Sequence, residues 1–134
     1  MIENIKYVLH KLKDELKFNF IEDDIDIYCE KIYKNAKILT INESNELAGF
    51  IAFYDNDEKK NTAYLTMLAV NPKFNNNGYG RQLLSFSINL LKKKGFEFYD
   101  LELDRDNEIA MSLYESFGFK KIEVIGKIKM RLKL

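Results

Sequence analysis

Apolar positions along the chain switch between two periods, and the switches mark the elements. Ile5, Leu9, Leu12 and Leu16 recur at steps of three and four, with Lys6, Lys11, Lys13 and Asp14 on other faces, which predicts a helix from Ile2 to Leu16. Ile25, Tyr28, Ile32 and Tyr33 share a face in a second helix, Asp24 to Asn35. Glu22, Asp23 and Asp24 crowd its start, where the helix dipole favours negative charge. The period then drops to two. Strands are predicted at 37–41 and 47–54, joined by a turn over Asn42–Asn45, with Gly49 marking a bulge or a close backbone approach. Tyr64 to Val70 is apolar on both faces apart from Thr66, the pattern of a central strand covered on both sides.

Pro72 ends that strand, and 73–78 reads as a polar loop. Leu84, Ile88 and Leu91 stack in a helix from Tyr79 to Lys94, stopped by Gly95. A strand over 99–103 follows. A helix over 107–117 comes next, capped by Asp104 or Asp106, with Ala110, Leu113, Tyr114 and Phe117 as its stripe. Strands over 119–125 and 128–134 close the chain. The order ααβββαβαββ predicts a single α/β domain over residues 1–134, with helices on both faces of the sheet.

Composition narrows the function classes. The 134 residues carry 21 Lys+Arg against 21 Asp+Glu, so nothing supports broad binding to nucleic acid, which needs a surplus of cations. The balance hides a split, a net of −4 over residues 1–67 and of +4 over 68–134. Two ligands of different charge, or scattered surface charge, would each produce it. A lone Cys29 rules out an intramolecular disulfide and a multi-cysteine metal site, and no metal is expected. Cys29 is expected buried, and His10, the single histidine, on a helix surface. No apolar run reaches membrane-span length and no signal-peptide pattern is visible, so the expectation is a cytoplasmic protein with no membrane partner.

The chemistry concentrates after the central strand. In Asn75-Asn76-Asn77-Gly78-Tyr79-Gly80-Arg81, a strand feeds a glycine-containing loop that opens a helix. Such a turn points backbone N–H groups and the positive end of the helix dipole at one place, which suits a phosphate or pyrophosphate. It is not a P-loop, because Gly80 is followed by Arg81-Gln82 rather than Lys and a hydroxyl residue. It is a poor dinucleotide fingerprint, because Leu83 stands where a third small residue is required, although Asp100 sits where a ribose-binding acid would. A plain helix-entry turn would also read this way.

The stretch from Leu101 to Phe119, with Asn107-x-x-Ala110, Tyr114 and Gly118-Phe119, resembles the second signature of the GNAT superfamily of N-acetyltransferases. Asn75 to Gly80 resembles the first, Gln/Arg-x-x-Gly-x-Gly/Ala, with Asn75 in place of the usual cation-bearing or amide residue and Asn76 in place of a common glycine. The resemblance covers about residues 36–134. It implies a mixed, mostly antiparallel sheet with a central splay, lacking the family's first strand. An open sheet edge would then allow either a monomer or a homodimer. It implies acetyl-CoA as cosubstrate. Backbone groups of Leu68 and Val70 would pair with the pantetheine arm, N–H groups from Asn76 to Arg81 would hold the pyrophosphate, and Asn107 would bond the pantetheine or its surroundings. Tyr114 would lie near the thioester sulfur. The set Glu102, Asn107 and Tyr114 looks most like enzymes that acetylate the N-terminal alanine of a ribosomal protein, in which the matching Glu is the base and the matching Tyr the acid.

Those residue types suit the reaction. An amine attacks a thioester only when neutral, and a lysine-type amine has a reference pKa of about 10.4, so near pH 7 it needs a proton acceptor. Glu102 can serve directly or through water, and so can a carboxylate merely facing solvent or a cation. Its neighbours Leu101 and Leu103 point to the other face of the strand. A backbone N–H near Leu68 would meet the oxyanion. Proton transfer from a phenol to a thiolate is uphill by roughly 2 kcal/mol unless the site lowers the tyrosine pKa, so a hydrogen bond from Tyr114 to sulfur serves as well as transfer. Glu22, Asp23, Asp24, Asp26 and Glu30 would offer an acidic rim to a cationic acceptor, and the basic tail from Lys120 to Lys133 would face an anionic one. Three functions stay open: acetylation of a small primary amine, acetylation of a protein N-terminus or lysine, and a non-catalytic acyl-CoA sensor.

Overall fold

A computed structural model describes residues 1–15 and 24–134. Two helices, α1 (Ile2–Glu15) and α2 (Ile25–Asn35), precede three strands, β1 (Lys37–Glu43), β2 (Glu46–Tyr54) and β3 (Thr62–Val70). Then come α3 (Tyr79–Lys94), β4 (Phe98–Leu103), α4 (Glu108–Ser116), β5 (Lys120–Ile125) and β6 (Lys127–Lys133). Leu16, Glu22 and Asp23, which sequence reasoning placed at the end of the first helix and before the second, lie outside the described residues. The strands form one sheet in the order β1-β2-β3-β4-β6-β5. Only β3 and β4 run parallel, so the expected mixed, mostly antiparallel sheet is present.

Each face has its own core. On one side Ile5, Val8 and Leu9 of α1 and Ile25, Cys29 and Ile32 of α2 pack on Phe50, Ala52, Met67 and Ala69. On the other, Leu83, Leu84, Ile88 and Leu91 of α3 and Tyr114 of α4 pack on Ile51, Phe53, Leu65, Tyr99, Leu101 and Met130. Burial pushes the Cys29 thiol up to about 11, as expected of a packed, inert cysteine. Tyr33 is half-exposed and does not join the α2 face, because the α2 stripe faces the sheet through Ile25, Cys29 and Ile32 instead. His10 lies on the α1 surface, 3.0 Å from Asp26 Oδ1. Gly49 is the close approach: a Cβ there would lie 3.0 Å from the Ala69 carbonyl and 3.2 Å from Leu83, so α3 seats directly on β2. The neighbouring Ala48 is the bulge, skipped between the pairs Ile41↔Gly49 and Asn42↔Leu47.

The expected polar loop over 73–78 is entered through a 3-10 turn, Pro72–Phe74, with Phe74 buried. Asn71 holds it in place. Its N–H donates to the Ala48 carbonyl at 2.7 Å, its Nδ2 to the Leu47 carbonyl at 3.3 Å, and its Oδ1 accepts from Lys73 N at 3.1 Å.

Candidate active site

The pairing of β3 with β4 stops partway. Thr62 to Leu65 are in register with Phe98 to Leu101 and no further. Beyond that point Met67 to Val70 pair only with β2, while Glu102 and Leu103 pair only with β6. The break coincides with a bulge. Ala52 faces Met67 and Phe53 faces Leu65, so Thr66 is the extra residue. The bulge also reverses the side-chain alternation of β3. Leu65 belongs to the α3 core, whereas Met67, two residues on, belongs to the α1/α2 core. A cleft therefore opens between the C-terminal halves of two parallel strands. Leu68 and Val70 lie along it, half-buried, their β4-facing edge without a strand partner.

The loop after β3 delivers the next group of candidates. Asn75, Asn76, Asn77 and Gly78 are exposed, and Asn76 and Gly78 take left-handed backbone at φ 67° and 74°. Those two turns place Tyr79, Gly80 and Arg81 in the first turn of α3. Gly78 caps that helix without any side-chain hydrogen bond, and the first turn holds no acidic residue. The opening N–H groups and the dipole end are thus left facing outward, suited to an anion. A Cβ on Gly80 would lie 3.8 Å from Val70 and 3.9 Å from Leu113, which brings the end of β3, the start of α3 and α4 into contact range. Two side chains of the first turn of α3 have partners of their own. The Tyr79 hydroxyl donates to Glu43 Oε2, which raises its pKa. Arg81 donates to Ser116 Oγ at 3.0 Å and lies 4.8 Å over the Phe117 ring, tying α3 to the end of α4.

Asn107, rather than Asp104 or Asp106, caps α4, its Oδ1 accepting from Ala110 N at 3.2 Å. That corrects the expected cap, and the Asn107 Nδ2 has no partner among the described residues. One helical stripe later, Tyr114 is 7% exposed, edge-on to Phe119 with ring centroids 5.6 Å apart. Burial holds its phenol well above the usual tyrosine pKa. Its hydroxyl makes no hydrogen bond among the described residues and is not sealed from solvent.

Glu102 is exposed, one residue past the last β3–β4 pair, with Leu101 and Leu103 buried on the opposite face as strand alternation requires. It is a cross-strand neighbour of Lys129. Glu102 and Tyr114 therefore sit on opposite sides of the sheet.

Several neighbours of Glu102 carry no sequence signal that brings them together. Tyr54, Tyr64, Asp100 and Arg131 form a row across four strands on the α1/α2 side. Asp100 is 3% exposed and accepts two bonds from Arg131, Nε to Oδ1 at 2.8 Å and Nη2 to Oδ2 at 2.9 Å. Asp100 is thus buried and paired with Arg131 rather than presented to a ligand. Burial, with Glu102 and Asp100 nearby, pushes the Tyr64 phenol up to about 12. Only cross-strand register, which periodicity does not give, assembles this row. Among the described residues no group of His, Cys, Asp and Glu could hold a metal ion, and no helix is long and apolar enough to cross a membrane.

The model of the acetyltransferase (GNAT) family matches residues 5–119. The chain belongs to the GNAT family. Among curated GNAT relatives, a ribosomal protein bS18-alanine N-acetyltransferase of Haemophilus ducreyi is 36% identical over 91 residues, 68% of this chain and 62% of that protein. The corresponding Escherichia coli enzyme is 39% identical over 62 residues, 46% of this chain and 42% of its own length. The chain thus spans less than two thirds of the relatives it matches. Solved GNAT structures share the fold. The PaiA N-acetyltransferase of Thermoplasma acidophilum, in complex with coenzyme A, superposes with a TM-score of 0.81 at 21% identity, covering 99% of this chain and 92% of that one. The Escherichia coli ribosomal-protein-S18-alanine N-acetyltransferase gives 0.79 at 21% identity, covering 98% and 86%.

Proposed function

We propose that this GNAT domain transfers the acetyl group of acetyl-CoA to a primary amine by direct attack within the cleft between β3 and β4. The observation that carries the reading is the end of β3–β4 pairing at Leu65↔Leu101, with Glu102 on one side of the gap and Tyr114 on the other. The unpaired edge at Leu68 and Val70 offers backbone groups to an extended amide-bearing arm, as a strand edge does for any peptide-like partner. The first turn of α3 takes the pyrophosphate on backbone N–H groups from Asn76 to Arg81, and Asn107 Nδ2 donates to the arm.

In the reaction Glu102 accepts the ammonium proton, directly or through a water. The free amine lone pair attacks the thioester carbonyl. A backbone N–H near Leu68 donates to the resulting oxyanion. The C–S bond breaks as the tetrahedral species collapses, the second proton of the attacking nitrogen passes through solvent to the departing sulfur, and Tyr114 donates a hydrogen bond to that sulfur as it leaves. Burial of Tyr114 raises its pKa, which opposes outright transfer of its proton and leaves hydrogen-bond donation as its part. The products are an N-acetylated amine and CoA.

For the acceptor, the relatives' names favour a protein N-terminus over a small amine. Thiol release from acetyl-CoA, measured with a panel of polyamines, amino sugars and peptides with N-terminal Ala, tests both. Turnover with peptides alone fixes the acceptor class. Tight acetyl-CoA binding with no release for any amine would replace the enzyme with a sensor, and failure to bind acetyl-CoA would sink the reading altogether.

A further inference from the structure

Thr66 is the residue at which β3 both bulges and leaves β4, so its carbonyl loses the regular ladder at that point. A half-buried backbone carbonyl without a strand partner has to find a donor elsewhere. The donor comes from α2. The Tyr28 hydroxyl lies 3.0 Å from the Thr66 carbonyl and 2.7 Å from Thr66 Oγ1. Both contacts are satisfied at once if Tyr28 donates to the carbonyl and the threonine hydroxyl donates to Tyr28. Tyr28 is the α2 residue that meets the sheet with a polar atom, between the buried Ile25 and Ile32.

We propose that Tyr28 is a positioning residue, whose hydroxyl clamps the Thr66 bulge and so holds open the cleft along Leu68 and Val70. The proposal rests on the acetyl-CoA reading of that cleft, but the clamp is separable from it. Without the hydroxyl, the Thr66 carbonyl is left to seek β4 or water, and the β3 edge no longer keeps one conformation. With it, the wall formed by α2 is fixed to the same residue that starts the cleft, so the acceptor side and the cofactor edge keep a constant spacing. Tyr54 and Tyr64, cross-strand neighbours just before the bulge, stand beside this clamp on the same face as Glu102. The amine enters where this hydroxyl-rich wall meets the carboxylate.

The test compares the wild-type chain with Tyr28→Phe, Thr66→Val and a control, Ile32→Val, which trims the same buried face of α2 without touching the bulge. Amide hydrogen exchange over residues 66–70, in the protein without ligand, reads the clamp. Titration calorimetry with acetyl-CoA, well below every melting midpoint, reads its consequence. Tyr28→Phe is expected to speed exchange at 66–70 and to weaken acetyl-CoA binding by roughly tenfold, the size of one well-placed hydrogen bond. Thr66→Val, which keeps the carbonyl, is expected to lose about threefold, and Ile32→Val to lower the melting midpoint while leaving affinity unchanged. Unchanged exchange in Tyr28→Phe overturns the clamp. Equal loss of affinity in Ile32→Val overturns it too, since general loosening of α2 would then suffice. Faster exchange at 66–70 in a chain whose wild type does not bind acetyl-CoA keeps the clamp and overturns the functional reading.

Discussion

Replacing Tyr114 with Phe removes one hydroxyl from α4 and leaves the ring against Phe119. Among the described residues that hydroxyl makes no hydrogen bond, so its loss breaks no bond that they form. Stability should change by no more than about 0.5 kcal/mol, a melting shift of about 1–2 °C for a domain of this size. Catalysis should respond differently. A hydroxyl donating to a developing thiolate is a bond to a charged acceptor, about 1.5–3 kcal/mol, which corresponds to roughly a 10- to 150-fold fall in kcat. KM for acetyl-CoA should stay within about twofold, because the bond strengthens only as the C–S bond breaks. Burial places the Tyr114 pKa above its ordinary value, so neither protein should show a basic limb below pH 10 that depends on this residue. Stopped thiol-release assays from pH 6 to 10 and a thermal melt of each protein supply the four readings. Full turnover in Tyr114→Phe would refute the donor role. A large stability loss with proportionate loss of activity would show that Tyr114 serves only as packing.

Three further outcomes follow from the same geometry. Glu102→Gln should lower kcat near pH 7 by about a hundredfold, the range of a lost general base, and the deficit should shrink as rising pH deprotonates the acceptor amine unaided; a pH-independent deficit would point to lost binding instead. Gly78→Ala forces a left-handed φ of 74° on a residue with a Cβ, so it should destabilise by about 1 kcal/mol and weaken acetyl-CoA binding, whereas Gly80→Ala meets only ordinary contacts and should melt at or above the wild-type temperature. Equal destabilisation of the two would contradict that difference. Finally, Tyr64 is pushed up to about 12, and Tyr28, Tyr99 and Tyr114 are also raised, all chiefly by burial. The fold therefore holds these phenols neutral. Their contribution is complete below the unfolded value of about 10 and is lost as pH rises through the folded values. Urea midpoints should be level from pH 7 to 9.5 and fall steadily above pH 10; a midpoint that holds level to pH 12 would refute this.

What sequence could and could not reveal follows from which forces act locally. The continuous apolar run of β2 and the three-and-four spacing in α3 are local, and both elements stand where the sequence places them, β2 within one residue at its start and α3 at both ends. The signatures around Gly78 and Asn107 are local too, since each is a turn feeding a helix. The cap of α4 was misassigned because Asp104, Asp106 and Asn107 are all competent caps by type, and only the path of the chain out of β4 decides which side chain meets the Ala110 N–H. The burial of Phe74 is not legible in a polar run, because the 3-10 turn that carries it is pinned by Asn71 bonding back to β2, more than twenty residues earlier in sequence.

The cleft itself is the deeper case. In β3 the reversal at Thr66 leaves no mark in the period, because residues on both faces of this central strand are mostly apolar and at least half-buried, and reversing the faces changes no residue type. Sequence therefore shows that Thr66 is the one polar residue between Leu65 and Val70, but not that the strand turns over there. Tyr28, thirty-eight positions earlier, looks like a member of an apolar helix stripe until its hydroxyl is seen on that threonine. The polar residue in the run and the phenol in the stripe explain one another. Each would be an unsatisfied group in its own element, and together they allow two parallel strands to part at the point where the proposed reaction needs a gap.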